Sequence, residues 1–266
     1  MDPNLIYDVG LHKGEDSEFY LKKGFRVVAI DAMASLCDFA RHRLKSYLDS
    51  CQLSVLNAAI AQNDGPVTFY ENVRSVWGTT SPEWVRRNQI VHQAPSKPTI
   101  VKGVRFAGVM RQFGVPYYLK IDIEGADLLC VEALREFTSR PRYVSLESNM
   151  ASWMALQAEF NLLRELGYTR FKVIRQDDVR HQVCPLPATE GRYVDHQFAY
   201  GSTGLFGEEA PGQWLSETEA LERYRRIFRR YRMFGNYSVL RRLPMGRRLI
   251  HILRLTPGWH DTHAAR

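Results

Sequence analysis

Two segments of the sequence place carboxylates where an apolar strand is followed by a glycine turn. The first runs from Asp8 to Gly14 and reads DVGLHKG, and the second runs from Lys120 to Asp127 and reads KIDIEGAD. Open α/β sheets bind ligands at the carboxyl ends of their strands, where a carboxylate can hold polar ligand groups or accept a proton. The two segments are therefore candidate parts of one site.

The first segment has the pattern of a βαβ unit that binds an adenosine cofactor. Gly10 and Gly14 allow a tight turn after the strand. Asp31 follows Asp8 by 23 residues, at the end of the next predicted strand. An acid at that distance can accept both hydroxyl protons of a ribose. A plain βαβ turn without a ligand is the alternative interpretation of the same pattern.

Residues 8 and 12 bear on which adenosine cofactor this turn would bind. The dinucleotide pattern G-x-G-x-x-G is absent because residue 12 is His. The Asp8 carboxylate would stand where a pyrophosphate sits, and like charges repel, whereas an ammonium and a sulfonium suit it. These features favour S-adenosylmethionine, and they disfavour an NAD-dependent oxidoreductase.

The second segment contains two candidate catalytic carboxylates, Asp122 and Glu124. They are two residues apart, so they share one face if both belong to the strand. Gly125 permits a sharp exit into the next helix. As alternatives, Glu124 only caps that helix and Asp122 only hydrogen-bonds a loop. A divalent metal bound by both is a further alternative, although two carboxylates alone make a weak site.

The elements that must position these residues alternate between apolar strands and amphipathic helices. A turn at 63–65 predicts that 67–70 pairs back from it, and 71–98 has the composition of an irregular excursion with a polar lid or ordinary loop at 77–81. The alternation predicts a doubly wound, Rossmann-like α/β domain with a mostly parallel sheet. Predicted strands span 5–9, 25–31, 53–61, 117–123, 142–146 and 168–174, and predicted helices span 15–23, 36–47, 104–113, 126–137 and 153–166.

Three segments of the chain resemble a known family. They read YDVGLHKGEDSEFYLKKGFRVVAIDA, LNAAIAQNDGPVTFY and YLKIDIEGADLLCVEAL. Together they look like the FkbM family of S-adenosylmethionine-dependent methyltransferases, over about residues 5–175. This resemblance implies a class I methyltransferase fold. It also implies O-methylation, since the characterised members act mostly on hydroxyls of sugars or natural products.

The resemblance assigns roles to residues by their position in these motifs. His12 departs from the family, which commonly has Asn there, and VRFAGVM at 104–110 stands where Thr-Leu-Asp-Asp-Leu is common. Cofactor binding is expected to survive both changes, whereas an exact acceptor specificity does not transfer. The implied cofactor-binding residues are Asp8, Gly10, His12, Gly14 and Ser17 at the methionine end, Asp31 and Ala32 at the ribose, Asn57, Ala58 and Ala59 near the adenine, and Asp122.

The chemistry expected of this cofactor needs few catalytic groups. Methyl transfer from a sulfonium is an in-line displacement, so alignment of the acceptor supplies most of the catalysis. A hydroxyl acceptor also needs a base. Asp122, Glu124 and His12 are the candidates, and Asp122 is favoured because a strand-end position is rigid. The prediction is O-methylation of a small-molecule or glycan acceptor. The alternative is a catalytically degenerate binding protein of the same fold.

The basic charge of the chain is concentrated near its C-terminal end. The formal net charge is +7, yet residues 223–254 contain eleven arginines and no Asp or Glu, which leaves about −4 elsewhere. Ser216 and Glu219 form a capping-box pattern that begins a helix here. Its apolar stripe indicates packing on its own domain. Contact with a membrane or a lipid-linked acceptor is the second interpretation.

Nucleic acid is the least favoured partner of this segment. Nucleic-acid methyltransferases that act on exocyclic amines typically have an Asn/Asp-Pro-Pro-Tyr type of loop after the fourth strand, and this chain has Ile-Glu-Gly-Ala at 123–126. No feature of the sequence selects an oligomeric state.

The domain organisation follows from these patterns. We expect a methyltransferase core over 1–175 and a C-terminal extension over 176–266 that packs on it. The tail at 259–264 either reaches back to the active site or ends in disorder. The four cysteines lie far apart, as is typical of reduced thiols. The first residues do not have the pattern of a signal peptide, and no apolar run approaches the roughly 20 residues of a membrane span, so the expected location is cytoplasmic.

Overall fold

The computed structural model describes residues 1–150, 152–235 and 258–266, and strands and helices alternate along most of this length. In chain order the strands are β1 (Asp2–Val9), β2 (Arg26–Asp31), β3 (Leu53–Asn57), β4 (Ala59–Ile60), β5 (Gly65–Asn72), β6 (Ser96–Val104), β7 (Pro116–Ile121), β8 (Tyr143–Glu147), β9 (Arg170–Arg175) and β10 (His260–Ala265). The helices are α1 (Glu15–Lys22), α2 (Ala34–Arg43), α3 (Lys45–Asp49), α4 (Pro82–His92), α5 (Phe106–Phe113), α6 (Asp127–Ala133), α7 (Trp153–Glu165) and α8 (Glu217–Phe234).

A seven-stranded sheet forms the centre of the molecule, in the order β3-β2-β1-β7-β8-β10-β9. Strands β3, β2, β1, β7 and β8 pair in parallel, and β10 is antiparallel to both of its neighbours. The chain builds outward from β1 to β3 and then returns to β7 on the other side of β1. Between β1 and β7 the strand order reverses, and the register pairs Val9 with Ile121 at their carboxyl ends. Such a reversal opens a crevice for a ligand.

Apolar layers cover both faces of this sheet, because successive side chains of a strand point to opposite faces. Tyr7 and Val9 of β1 belong to the layer that contains α5, α6, α7 and α8. Ile6 belongs to the layer that contains α1, α2 and part of the segment that follows β9, where Phe206 stacks on Tyr118. The doubly wound, Rossmann-like α/β architecture expected from the sequence is confirmed.

A second sheet of three strands, β4-β6-β5, lies between β3 and β7 in the chain. Strand β5 pairs antiparallel with β6, from Gly65 opposite Gly103 to Asn72 opposite Ser96. The prediction that 67–70 pairs back from the turn onto the preceding strand is wrong, since its partner strand comes about thirty residues later. The irregular excursion predicted for 71–98 is also wrong in part, because α4 lies within it.

The end of the chain is a strand of the central sheet. All six residues of β10 are buried, and they pair with β8 on one side and β9 on the other. The interpretation of 259–264 as a disordered tail is therefore wrong. Strand β10 belongs to the segment 176–266, which was predicted as an extension. Part of that segment therefore completes the sheet of the core. The boundary at residue 175 otherwise stays a prediction.

Helix α8 packs its apolar stripe on the domain, as its spacing predicts. Ser216 and Glu219 form the capping box at its start. Tyr224 and Ile227 are buried in the core, with Leu221, Phe228 and Tyr231 packed against it. The remaining part of the arginine-rich segment, 236–257, lies outside the described residues. Within the described ranges no helix has both the length and the apolar character needed to cross a membrane.

Candidate functional site

A cleft opens at the carboxyl ends of β1, β2 and β7, where the strand order reverses. A cleft in this place is where open α/β sheets bind their ligands. Residues 10–12, 31–33, 58–60 and 122–124 line it. The two acidic segments of the sequence therefore meet in one place, together with the acid at the end of β2.

The glycine turn after β1 is shaped by the neighbouring loop. A Cβ added to Gly10, whose φ is +94°, would lie 1.9 Å from the carbonyl oxygen of Asp122. Glycine is thus required here by packing against the chain itself. His12 has φ +51°, a left-handed conformation that Asn, Asp and His adopt more readily than most residues. This shared preference explains how His can occupy a position where the family commonly has Asn.

Asp31 is held by backbone donors in a position suited to a ribose. Its Oδ2 accepts a hydrogen bond from the His12 amide at 2.9 Å, and its Oδ1 accepts one from the Met33 amide at 2.8 Å. Burial raises the pKa of Asp31, and these two amides oppose that shift. Each carboxylate oxygen has a second lone pair, so the group can still accept the two hydroxyls of a ribose.

Asn57 holds the backbone at Asp31 in place. Its Nδ2 donates to the carbonyl oxygens of Asp31 and Ala32, at 3.1 and 3.0 Å. Asn57 does not line the cleft, whereas Ala32, Ala58 and Ala59 do. The small side chains of the two alanines leave room beside Asp31 for a flat ring.

Asp8 is buried behind the turn. It accepts hydrogen bonds from Ser17 Oγ at 2.6 Å and from Lys120 Nζ at 2.9 Å. The predicted contact of Asp8 with a cofactor cation is not what the geometry shows, because Lys120 on the adjacent strand already neutralises it. Ser17 and Gly14, also predicted at the methionine end, do not line the cleft either. Gly14 instead provides the left-handed residue before α1.

The two candidate catalytic carboxylates lie in a loop. Strand β7 ends at Ile121, and Glu124 has φ +51°, so the condition under which Asp122 and Glu124 would share a strand face is not met. The amide of Asp122 still donates to the carbonyl of Val9 at 2.8 Å, which fixes it to the end of β1. The side chain of Asp122 is exposed to the cleft.

Asp127 fixes the rest of this loop. Its Oδ1 accepts from the Ile123 amide at 3.2 Å, and its Oδ2 accepts from the Gly125 amide at 3.0 Å. The last acid of the KIDIEGAD segment thus shapes the backbone on which Asp122 and Glu124 are presented. This role was not predicted from the sequence.

Several carboxyl groups lie close enough to perturb one another. Burial, followed by the charges of Glu147 and Asp122, raises the pKa of Glu124 well above its usual range. Burial and the same Asp122 raise the pKa of Glu147, at the end of β8. Asp261 of β10 is affected in the same way. Because adjacent carboxylates resist simultaneous ionisation, Glu124, Glu147 and Asp261 hold their protons more tightly than isolated carboxyl groups do.

The segment predicted as a polar lid is anchored over the Asp122–Asp127 loop. Thr79 Oγ1 donates to the carbonyl oxygen of Glu124 at 2.6 Å. The Thr79 backbone pairs in both directions with Tyr70 of β5. The indole of Trp84 lies against Gly125, where an added Cβ would be 2.3 Å away. His12 Nε2 is 3.0 Å from Ser75 Oγ, which ties the lid to the glycine turn.

Several residues that were not predicted from the sequence as site residues also line the cleft, among them Asp16, Lys120, Tyr200 and Gly201. A lysine inside the apolar run YYLKI needs a buried partner, and this was a usable signal for Lys120. Gly201 belongs to the glycine-rich GSTG stretch, which follows no strand and precedes no helix. Only the folded chain brings that stretch to the site.

A metal site is not apparent in the part of the chain that the structure describes. No three His, Cys, Asp or Glu side chains there are arranged to hold a metal ion. The alternative of a metal on Asp122 and Glu124 thus has no third protein ligand of this kind among the described residues.

The doubly wound fold, with a cleft where the strand order reverses, is that of the class I S-adenosylmethionine-dependent methyltransferases. The chain belongs to the FkbM methyltransferase family: residues 8–170 match the family model described as a methyltransferase FkbM domain. No curated protein sequence matches the chain.

Solved structures of methyltransferases resemble this fold at low sequence identity. One is the methyltransferase FkbM of Methylobacillus flagellatus, with 17% identity and a TM-score of 0.44, covering 65% of this chain and 40% of that chain. Another is a SAM-dependent methyltransferase of Archaeoglobus fulgidus, with 9% identity and a TM-score of 0.40, covering 99% of this chain and 86% of that chain. The match to the Methylobacillus protein thus spans less than half of that protein's length.

The residues present fit the cofactor that the family implies. Asp31 presents acceptors for a ribose, Ala58 and Ala59 leave space beside it, and carboxylates rather than phosphate-binding amides surround the other part of the cleft. When bound, S-adenosylmethionine supplies an activated methyl group.

Proposed function

We propose that this protein transfers the methyl group of S-adenosylmethionine to a hydroxyl of a sugar or other small metabolite. The observation that carries the proposal is the placement of Asp122. Its side chain is exposed to the same cleft that Asp31 lines, and its backbone is fixed to β1 by the 2.8 Å hydrogen bond to Val9. A carboxylate on a backbone fixed in this way can take the proton of an acceptor hydroxyl without the cost of ordering a mobile loop.

The other two candidate bases are less available for this step. Burial and neighbouring carboxylates raise the pKa of Glu124, so at a given pH less of it is ionised and able to accept a proton. Both ring nitrogens of His12 have neighbours, Ser75 at 3.0 Å and Glu15 at 3.4 Å. Asp122 therefore remains the favoured base. Glu124 would then contribute by supporting the loop and by donating a hydrogen bond to the acceptor.

The test is transfer of a labelled methyl group to fractionated cell extract. Wild-type protein should label a glycan or small-molecule fraction. Asp122→Asn should bind S-adenosylhomocysteine normally and lose transfer by about 10²- to 10⁴-fold, the usual contribution of a general base. Asp38→Asn, a matched change of an exposed acid on α2, should leave both unchanged. Label appearing only in protein or nucleic acid would overturn the proposed acceptor class.

A catalytically degenerate binding protein is the competing function. It predicts intact binding of S-adenosylhomocysteine with no label in any fraction. The exposure of Asp122 to the cleft favours the enzyme, since a protein that no longer catalyses has no use for a positioned base.

We also propose that the exposed face of α8 contacts an anionic membrane surface, where a lipid-linked acceptor would lie. This proposal rests on the positive charge of the exposed face of α8. Six arginines of α8 are exposed, and none forms an ion pair with a carboxylate of the described residues. Each arginine close to an anionic bilayer contributes about 1 kcal/mol.

A further inference from the structure

Asp16 is a buried carboxylate on the wall of the cleft. It is the second residue of α1, and only 6% of its surface is exposed. It lines the cleft together with Tyr200 and Gly201 from the segment after β9. An acid in this setting needs a compensating partner.

The backbone of the C-terminal segment orients this carboxylate. The Thr203 amide lies 3.1 Å from each of the two Asp16 oxygens. One donor shared between two oxygens leaves lone pairs on both of them free. The contact joins residues 187 positions apart, so the segment after β9 completes the wall of the cleft.

The charges around Asp16 do not balance. Lys120 Nζ donates to Asp8 at 2.9 Å and to the Gly10 carbonyl at 2.7 Å, and it lies 3.9 Å from Asp16. One ammonium thus faces the carboxylates of Asp8, Asp16 and Asp122. Burial, with the nearby Asp8 and Asp122 charges, raises the pKa of Asp16, while Lys120 opposes the shift. A second cation would relieve this imbalance.

Lys120 also makes a nearby backbone acceptor unfavourable for a second cation. The carbonyl oxygen of Gly10, at the tip of the glycine turn, already accepts a hydrogen bond from the Lys120 ammonium at 2.7 Å. A ligand ammonium on the same oxygen would lie next to that of Lys120, and like charges repel. The Asp16 carboxylate, with lone pairs free on both oxygens, is the better acceptor for it.

We propose that Asp16 binds the α-ammonium group of the methionine part of the cofactor, with the Thr203 amide holding the carboxylate in position. This inference rests on the proposed function, because it assumes that the cleft binds S-adenosylmethionine. In this assignment Asp16 takes the role at the methionine end that the sequence suggested for Asp8.

Two ligands measured by calorimetry test the assignment. S-adenosylhomocysteine has the ammonium group, and its desamino analogue has hydrogen instead. Wild-type protein should bind the analogue at least tenfold more weakly. Asp16→Asn should lose at least tenfold in affinity for S-adenosylhomocysteine and should bind the two ligands within about threefold of each other. Asp38→Asn, the matched control on α2, should behave as wild type.

The possible outcomes distinguish a failure of the proposed cofactor from a failure of the Asp16 assignment. A wild type that binds neither ligand overturns the proposed cofactor, and the Asp16 assignment with it. A wild type that binds both ligands equally overturns the Asp16 assignment alone, and this result does not depend on whether Asp16→Asn folds. An Asp16→Asn protein that discriminates as strongly as wild type overturns it as well.

Discussion

Lys120 and Asp8 form an ion pair of 2.9 Å across the adjacent strands β7 and β1, with both side chains buried. Burial opposes the charge of the lysine, but the carboxylates of Asp8, Asp122 and Asp16 outweigh it and raise the pKa of Lys120. The pair also joins the two acidic segments of the site, because the same ammonium binds the Gly10 carbonyl. We therefore expect both stability and cofactor binding to depend on this one contact.

Lys120→Met should lower the free energy of unfolding by about 3–5 kcal/mol, because it leaves the Asp8 carboxylate buried without a cation. Urea denaturation measures this loss. The double variant Lys120→Met/Asp8→Asn should recover at least half of it. Lys45→Met, which breaks an exposed ion pair with Asp49, should cost less than about 1 kcal/mol. Equal losses for the two lysines would contradict the buried pair's importance.

Asp31 and Asn57 should affect cofactor affinity to different degrees. Asp31→Ala removes both acceptors for the ribose, each a charge-assisted hydrogen bond of about 1.5–3 kcal/mol, so affinity should fall by about 100-fold or more. Asn57→Ala removes only the two bonds that hold the loop, and a loss of about tenfold is expected. Titration calorimetry with S-adenosylhomocysteine distinguishes the two. An Asn57→Ala protein as weak as Asp31→Ala would indicate direct contact of Asn57 with the ligand.

Thr79 should determine how firmly the segment 77–81 is held. Thr79→Val keeps the shape of the side chain but removes the 2.6 Å hydrogen bond to the Glu124 carbonyl. It also removes the acceptor for the Ser81 amide. A loss of about 1–2 kcal/mol in local stability is expected, which raises the rate of proteolysis within 73–92 by about 5- to 30-fold. Thr79→Ser retains the hydroxyl and should stay within about threefold of wild type.

The sequence predicted the parts of the site that local patterns specify. The turn from Asp8 to Gly14, the acid at the end of β2 and the KIDIEGAD loop are each short and follow an apolar strand. The loop's detail was not predicted, because its start is fixed by the hydrogen bond between Asp122 and Val9, which lie far apart in the chain.

The parts that were missed depend on distant pairings. Strand β10 reads HDTHAA, and its buried His, Asp and Thr side chains give no apolar alternation. It is a strand because β8 and β9 lie on either side of it. The contact between Asp16 and Thr203 is likewise invisible in the sequence, since neither residue has a local partner that marks it.

The arginines of α8 should determine binding to anionic vesicles. Charge reversal of Arg225, Arg226 and Arg229 to Glu keeps helix-forming residues at exposed positions, so the fold should survive. Co-sedimentation with phosphatidylserine-containing vesicles should fall by more than tenfold, and wild-type binding should weaken as salt rises. Arg135→Glu and Arg164→Glu, exposed arginines outside α8, serve as controls. Equal binding by the α8 variant would contradict the membrane contact.

Glu159 of α7 should make stability depend on pH. Burial raises its pKa to about 8, although hydrogen bonds from Thr262 and the Asn149 backbone oppose the shift. The folded protein therefore binds more protons than the unfolded chain between the usual carboxyl pKa and 8. The contribution of Glu159 is fully present below the unfolded pKa, and it is lost as pH rises through 8.

Glu159→Gln should remove this dependence, because the amide needs no proton to stay neutral. Between pH 5 and pH 8 the variant should gain on the order of 1–3 kcal/mol over wild type. Urea denaturation at several pH values measures the difference. Glu165→Gln changes an exposed acid at the end of the same helix, and it should run parallel to wild type at every pH. A Glu159→Gln curve that also runs parallel to wild type would mean that Glu159 is ionised in the folded protein.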